Sequence, residues 1–162
     1  SVEKEFEKLA GQMAGNKKVI AVNNLMAGVH LIIDTMFRGQ DALISLGDTF
    51  YLSGGMGIQD IAAKAGAKEK LVGYINKVDK EDYLKNIKDG NEVVIYSDMF
   101  ENTGLGIKKI EISELEEINE AACSLFISDR VYINTDSPEI KSAGYSFNDI
   151  INKDIDIIMT RI

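Results

Sequence analysis

Tryptophan is absent from the 162 residues, and cysteine and proline occur once each, as does histidine. One cysteine, Cys123, excludes an internal disulfide, and its place in the apolar run AACSLFI makes it a small buried side chain rather than a reactive thiol. One histidine, His30, with no metal-ligand spacing motif around it, gives no expected metal site. One proline, Pro138, and the lack of repeats or low-complexity stretches leave no interdomain linker. No apolar run approaches the roughly 20 residues that cross a bilayer. The acidic start SVEKEFEK is the reverse of a signal peptide's basic one. These absences lead to the expectation of a cytoplasmic protein that does not engage membranes. Basic residues are outnumbered, 18 against 26, for a net charge of -8, and they are scattered. That balance repels polyphosphate backbones and makes nucleic acid an unfavourable partner.

What is present is a core. With 45% hydrophobic residues, the chain is long enough for one domain over residues 1–162 and short for two. Val2, Phe6, Leu9 and Met13 fall at helical spacing, so a helix is expected over 2–14, stopped by Gly15 and Asn16. KKVIAV reads as a strand that passes through Asn23 and Asn24 into a helix, LMAGVHLIIDTMF. ALISL from Ala42, EVVIYS, IKKIEIS from Ile107, SLFIS and RVYIN are further strand candidates. Short helices fit Ile58 to Ala65, Glu69 to Val78, and a segment from Asp79 to Asp89-Gly90. Ser113 and Glu116 have capping-box spacing ahead of another. The tail FNDIINKDIDIIMTRI suits a helix or a helix followed by a short strand, and the helix is preferred. The alternation implies an α/β fold, a three-layer sandwich around a mostly parallel central sheet.

In such a sheet, ligands collect outside the carboxyl ends of the strands. Two loops qualify, VNNLMAG and YSDMFENTG. Asn23, Asn24, Ser97, Asn102 and Thr103 offer hydrogen bonds to a sugar hydroxyl or phosphate, and Gly104 admits a close backbone approach. The same residue types also cap helices and make turns. Asp98 and Glu101 interrupt the second loop. A carboxylate about 4 Å from a phosphate costs on the order of 1 kcal/mol even in bulk water, so phosphate binding requires both acids to point away. His30 and Asp34 lie one helical turn apart, as a base and its orienter would, although Asp34 could equally just hold His30 in place. SGGMG, Ser53 to Gly57, lacks the lysine and hydroxyl of a nucleotide-binding P-loop.

The leading helix, KKVIAV, the polar turn, the helix ending in FRGQDALIS and the later KNIKDGNEVVIYS together resemble the SIS (sugar isomerase) phosphosugar-binding domain. The resemblance implies an SIS-like fold, a sugar or sugar-phosphate ligand, a place in carbohydrate metabolism, an isomerase-like activity and a homodimer, with no cofactor. Ser97 and Thr103 carry over to its phosphate loop, with Asn23 and Asn24 where the family has glycine and serine. The competing class is a noncatalytic regulatory or interaction domain. GIQDIAAKAGAKEKLVGYIN is also similar to the helix-turn-helix of lactose-repressor-type regulators, with Ile61, Ala62, Ala65, Gly66, Val72 and Ile75 in place. That resemblance implies DNA binding through residues 57–76.

Overall fold

A computed structural model of the chain describes residues 1–49, 55–99, 106–133, 139 and 144–161. The runs VVIYSD and CSLFIS, apolar along most of their length with no regular alternation, form strands β3 (Val93–Asp98) and β4 (Cys123–Ser128). Strands that read this way are covered on both faces, and every residue of β3 is buried. They sit inside a five-stranded, all-parallel sheet with β1 (Asp41–Ser45), β2 (Lys68–Val72) and β7 (Ile157–Thr160), in the order β2-β1-β3-β4-β7. Short strands β5 (Val131–Tyr132) and β6 (Tyr145–Ser146) pair separately.

Strand periodicity sorts the core into two layers. Ala42, Ile44, Val93, Ile95, Leu125 and Ile127 face helices α2 (Leu25–Met36) and α3 (Ile58–Lys64). Leu43, Val94, Tyr96 and Phe126 face α4 (Lys80–Leu84), α5 (Ile112–Asn119) and α6 (Phe147–Ile151), through Tyr83, Leu115, Ile118 and Ile150. The expected three-layer α/β arrangement around a parallel sheet is what forms. Helix α1 (Val2–Met13) forms as its spacing predicts but leaves Val2, Leu9 and Met13 exposed. The longest helices among the described residues have 12 residues, and none is long and apolar enough to cross a membrane.

Five expectations about elements fail, most of them for a tertiary reason. KKVIAV is not a strand: it runs beside the core with Ile20 and Val22 exposed and no strand partner. β-branched composition makes a strand only where a sheet edge accepts it. Glu69 to Val78 is not a helix, because Lys68–Val72 lies along β1 as an edge strand, its lysines facing water. This removes the helix-turn-helix over 57–76. Gly66 (φ +99°) ends α3 in the left-handed region and turns the chain into β2. IKKIEIS makes only a single bridge, Lys77 to Lys108, and α5 then begins at Glu111, whose N–H donates to Glu114 Oε2 at 2.8 Å. The Ser113/Glu116 box was placed too late. In the tail, a helix and then a strand form, since the free edge of β4 accepts Ile157–Thr160.

Candidate functional site

The strand order reverses between β1 and β3: the chain leaves β1 through α3 for β2 on one side, then crosses to β3 on the other. A crevice forms at such a switch point, outside the carboxyl ends of the two strands. Here it is filled by polar side chains that the core would otherwise exclude. A single 3-10 turn after β1, Leu46–Asp48, brings Asp48 over the sheet edge with its side chain fully buried. Lys109 reaches it from the segment leading to α5, with Nζ 2.7 Å from Asp48 Oδ1. The same ammonium donates to the Ser97 carbonyl oxygen and lies 4.6 Å from the centre of the Tyr96 ring. Burial raises the Asp48 carboxyl above its ordinary value, although Lys109 pulls it the other way. Ser97 Oγ is buried there without a hydrogen-bond partner. Burial also raises the Tyr83 and Tyr96 phenols.

A second pair closes the next gap. Arg130, just past β4, places Nη2 2.6 Å from both oxygens of Asp98. Ser128 Oγ accepts the Arg130 N–H at 3.0 Å and lies 3.4 Å from Asp98 Oδ2. Burial, and then Asp98, push the Tyr145 phenol up to about 12. Between the pairs and α5 lies a cavity of about 300 Å³ bounded by Tyr96, Asp98, Gly106, Ile107, Lys109, Ile110 and Glu111. The arrangement can hold charge away from water and leaves the Ser97 hydroxyl open to a polar ligand.

The expected site residues are dispersed. Ser97 lies at the switch point, but Asn23 and Asn24 do not follow a strand. Asn24 caps α2, its Oδ1 accepting the Ala27 N–H at 2.8 Å, and Asn23 is exposed beside it. A Cβ on Gly28, one turn further along, would meet Met159 of β7. The start of α2 therefore sits over β7, with β4 separating it from β3. Asn102, Thr103, Gly104 and Glu101 lie outside the described residues. Asp98 does not turn away: it is buried and fills the hollow with Arg130. His30 is exposed, and Asp34 pairs with Arg38 instead, so no base and orienter form. Cys123 is half-buried rather than buried, and burial followed by Asp156 pushes its thiol up to about 12. Lys109 and Arg130 were not anticipated, and from the sequence Asp48 reads as a turn residue as readily as a site. The only local hint was a buried-strand pattern at ALIS running directly into Asp48.

A parallel sheet with this order, covered by helices on both faces, defines a three-layer α/β protein. The alanine aminotransferase from Pyrococcus furiosus superposes over 98% of this chain and 40% of its own, with a TM-score of 0.63 and 13% identity, a likeness of fold. Within that class the chain belongs to the L-seryl-tRNA selenium transferase (SelA) family, whose model matches residues 1–131. The L-seryl-tRNA(Sec) selenium transferase of Aquifex aeolicus is 25% identical over 165 residues, covering 94% of this chain and 35% of that protein. That of Wolinella succinogenes is 30% identical over 108 residues, covering 65% of this chain and 24% of that protein. The chain thus spans about a quarter to a third of the length of these relatives.

Family membership overturns the phosphosugar resemblance, and with it the sugar ligand, the isomerase-like activity and the place in carbohydrate metabolism. The shared order of helix, apolar run, polar turn and helix is common to many parallel α/β folds. Neither competing class, regulatory domain or DNA-binding regulator, gains from the match. The exclusion of nucleic acid is corrected too, because the relatives are named for a tRNA-linked substrate. Net charge describes the average surface and does not rule out recognition of one aminoacyl end.

Proposed function

We propose that this chain contributes the central sheet of a protein acting on L-seryl-tRNA, with the carboxyl edge at the β1–β3 switch point facing the seryl group. The observation that carries this reading is the family match over residues 1–131, a span that contains Asp48, Ser97, Asp98, Lys109 and Arg130 together. The unpartnered Ser97 hydroxyl at that edge supports it, since a buried hydroxyl without a partner destabilises the protein unless a ligand completes it.

The aminotransferase-like fold implies pyridoxal phosphate, which needs a cradle for its phosphate, a carboxylate for its ring nitrogen and a lysine amine. The four charged side chains at the switch point do not by themselves supply that set. Lys109 and Arg130 each lie against a carboxylate, and Asp98 is paired through both oxygens.

Equilibrium binding of seryl-tRNA and of the same tRNA after deacylation tests the proposal. The seryl form is expected to bind several-fold more tightly, and Ser97→Ala to erase most of that preference while leaving the melting temperature unchanged or slightly higher. Equal binding of the two tRNAs would remove the reading.

A further inference from the structure

Beyond Ile95, strand β3 has a strand neighbour on one side only. Its register with β1 runs from Ala42↔Val93 to Ile44↔Ile95 and stops there, because β1 gives way to the 3-10 turn at Leu46–Asp48. On the other side β4 continues to pair, through Ser97↔Ile127 and Asp98↔Ser128. A buried strand end that outruns its neighbour leaves peptide groups that need other partners. Ser97 is buried, and its carbonyl oxygen accepts from Lys109 Nζ, which also lies 2.7 Å from Asp48 Oδ1. Burial raises the Asp48 carboxyl, Lys109 pulls it down, and the Ser97 N–H adds a smaller pull in the same direction. We propose that Asp48 and Lys109 are positioning residues: together they take the place of the missing strand, hold the Ser97 peptide extended, and so aim the Ser97 hydroxyl at a polar group of the ligand.

The pair and the hydroxyl lie on opposite faces of the sheet. Ser97 follows Val93 and Ile95 in the two-residue period, which directs its side chain toward α2 and α3. Lys109 Nζ lies 4.6 Å from the centre of the Tyr96 ring, and Tyr96 belongs to the layer of α4, α5 and α6. Lys109 therefore acts on Ser97 through the backbone and does not touch what the hydroxyl touches. An ion pair suits this task because each charge offsets the burial cost of the other. Between them the two side chains present one donor and one acceptor, the complement that a neighbouring strand offers. The hydroxyl is the part left open, buried and without a hydrogen-bond partner. That the group it meets is seryl rests on the seryl-tRNA reading above, whereas the positioning itself does not.

Removing the pair without leaving a charge behind separates positioning from stability, and both measurements use the full chain. Lys109→Met is expected to lower the melting temperature, and Asp48→Asn/Lys109→Met to recover most of that loss, since no unpaired charge then remains inside. In the recovered double variant the Cβ carbon resonance of Ser97 is expected to move and broaden, and the preference for seryl-tRNA over the deacylated tRNA to stay lost. A double variant that keeps the wild-type Ser97 resonance, or regains the preference together with its melting temperature, would reduce the pair to a structural one and overturn the proposal. The wild-type chain supplies a second readout that needs no variant and decides the matter if the double variant does not fold. Deuterium exchange of the Ser97 N–H is expected to be as slow as that of Ile95 inside the ladder. A Ser97 N–H that exchanges as fast as an exposed amide would overturn the proposal. Equal binding of the two tRNAs by the wild type would remove the seryl reading alone, and the Ser97 resonance and exchange rate would still decide the positioning.

Discussion

Two buried carboxylates carry opposite consequences for pH. Glu92, immediately before β3, accepts the N–H of Lys88 at 2.6 Å and of Gly90 at 3.0 Å, which fixes the turn that feeds the central strand. Burial alone would raise its carboxyl, but the backbone donors around it hold it below the usual value. A lowered folded value means that its contribution is present above the unfolded value of 4.5 and lost as pH falls through the folded one. Glu92→Ala is expected to destabilise the chain by about 2 kcal/mol at neutral pH, with the difference shrinking in acid, as measured by urea unfolding. Asp48 behaves in the reverse sense. Its folded value is raised, so between 3.8 and that value the native state binds more protons than the unfolded chain. Within this window, stability rises as pH falls, by at most about 1.4 kcal/mol per pH unit. Other carboxylates lose stability in acid, so the quantity to read is the difference between wild type and Asp48→Asn. That difference is expected to move in favour of the wild type on acidification, and a flat difference would mean that Asp48 titrates normally.

Among the elements, the helices were the more legible. Helix α2 declares itself through Asn24 and a broad apolar stripe whose Val29 and Ile33 are fully buried. Asn24 serves its cap, a role that residue type alone could not separate from ligand binding. Asn24→Ala is expected to destabilise the chain by about 1 kcal/mol, read by urea unfolding, and to leave the Asp48–Lys109 pair untouched, since α2 begins over β7. The fully buried strands were legible for a related reason: EVVIYS and SLFIS are apolar on both faces, which only a covered parallel strand requires. Segments of mixed composition were not. KKVIAV, EKLV and IKKIEI look alike by β-propensity, yet only the second joins the sheet, because β1 has a free edge beside it. Edge availability is a property of the assembled sheet, and a local window does not contain it.

At the scale of the whole molecule, the order of strands gives the site its place. The sequence by itself determined an α/β class, because buried strands and amphipathic helices alternate and each must cover the other's apolar surface. It also placed Ser97 at the carboxyl end of a central strand. It did not determine which side chains meet there. Asp48, Lys109 and Tyr96 converge from three separate segments, and Asp98 finds Arg130 across the β3–β4 gap. No spacing rule connects them. Hydrophobic periodicity is local and survives in the one-dimensional pattern, whereas a buried ion pair is selected by the dielectric of the interior it occupies. That interior exists only once the sheet has assembled.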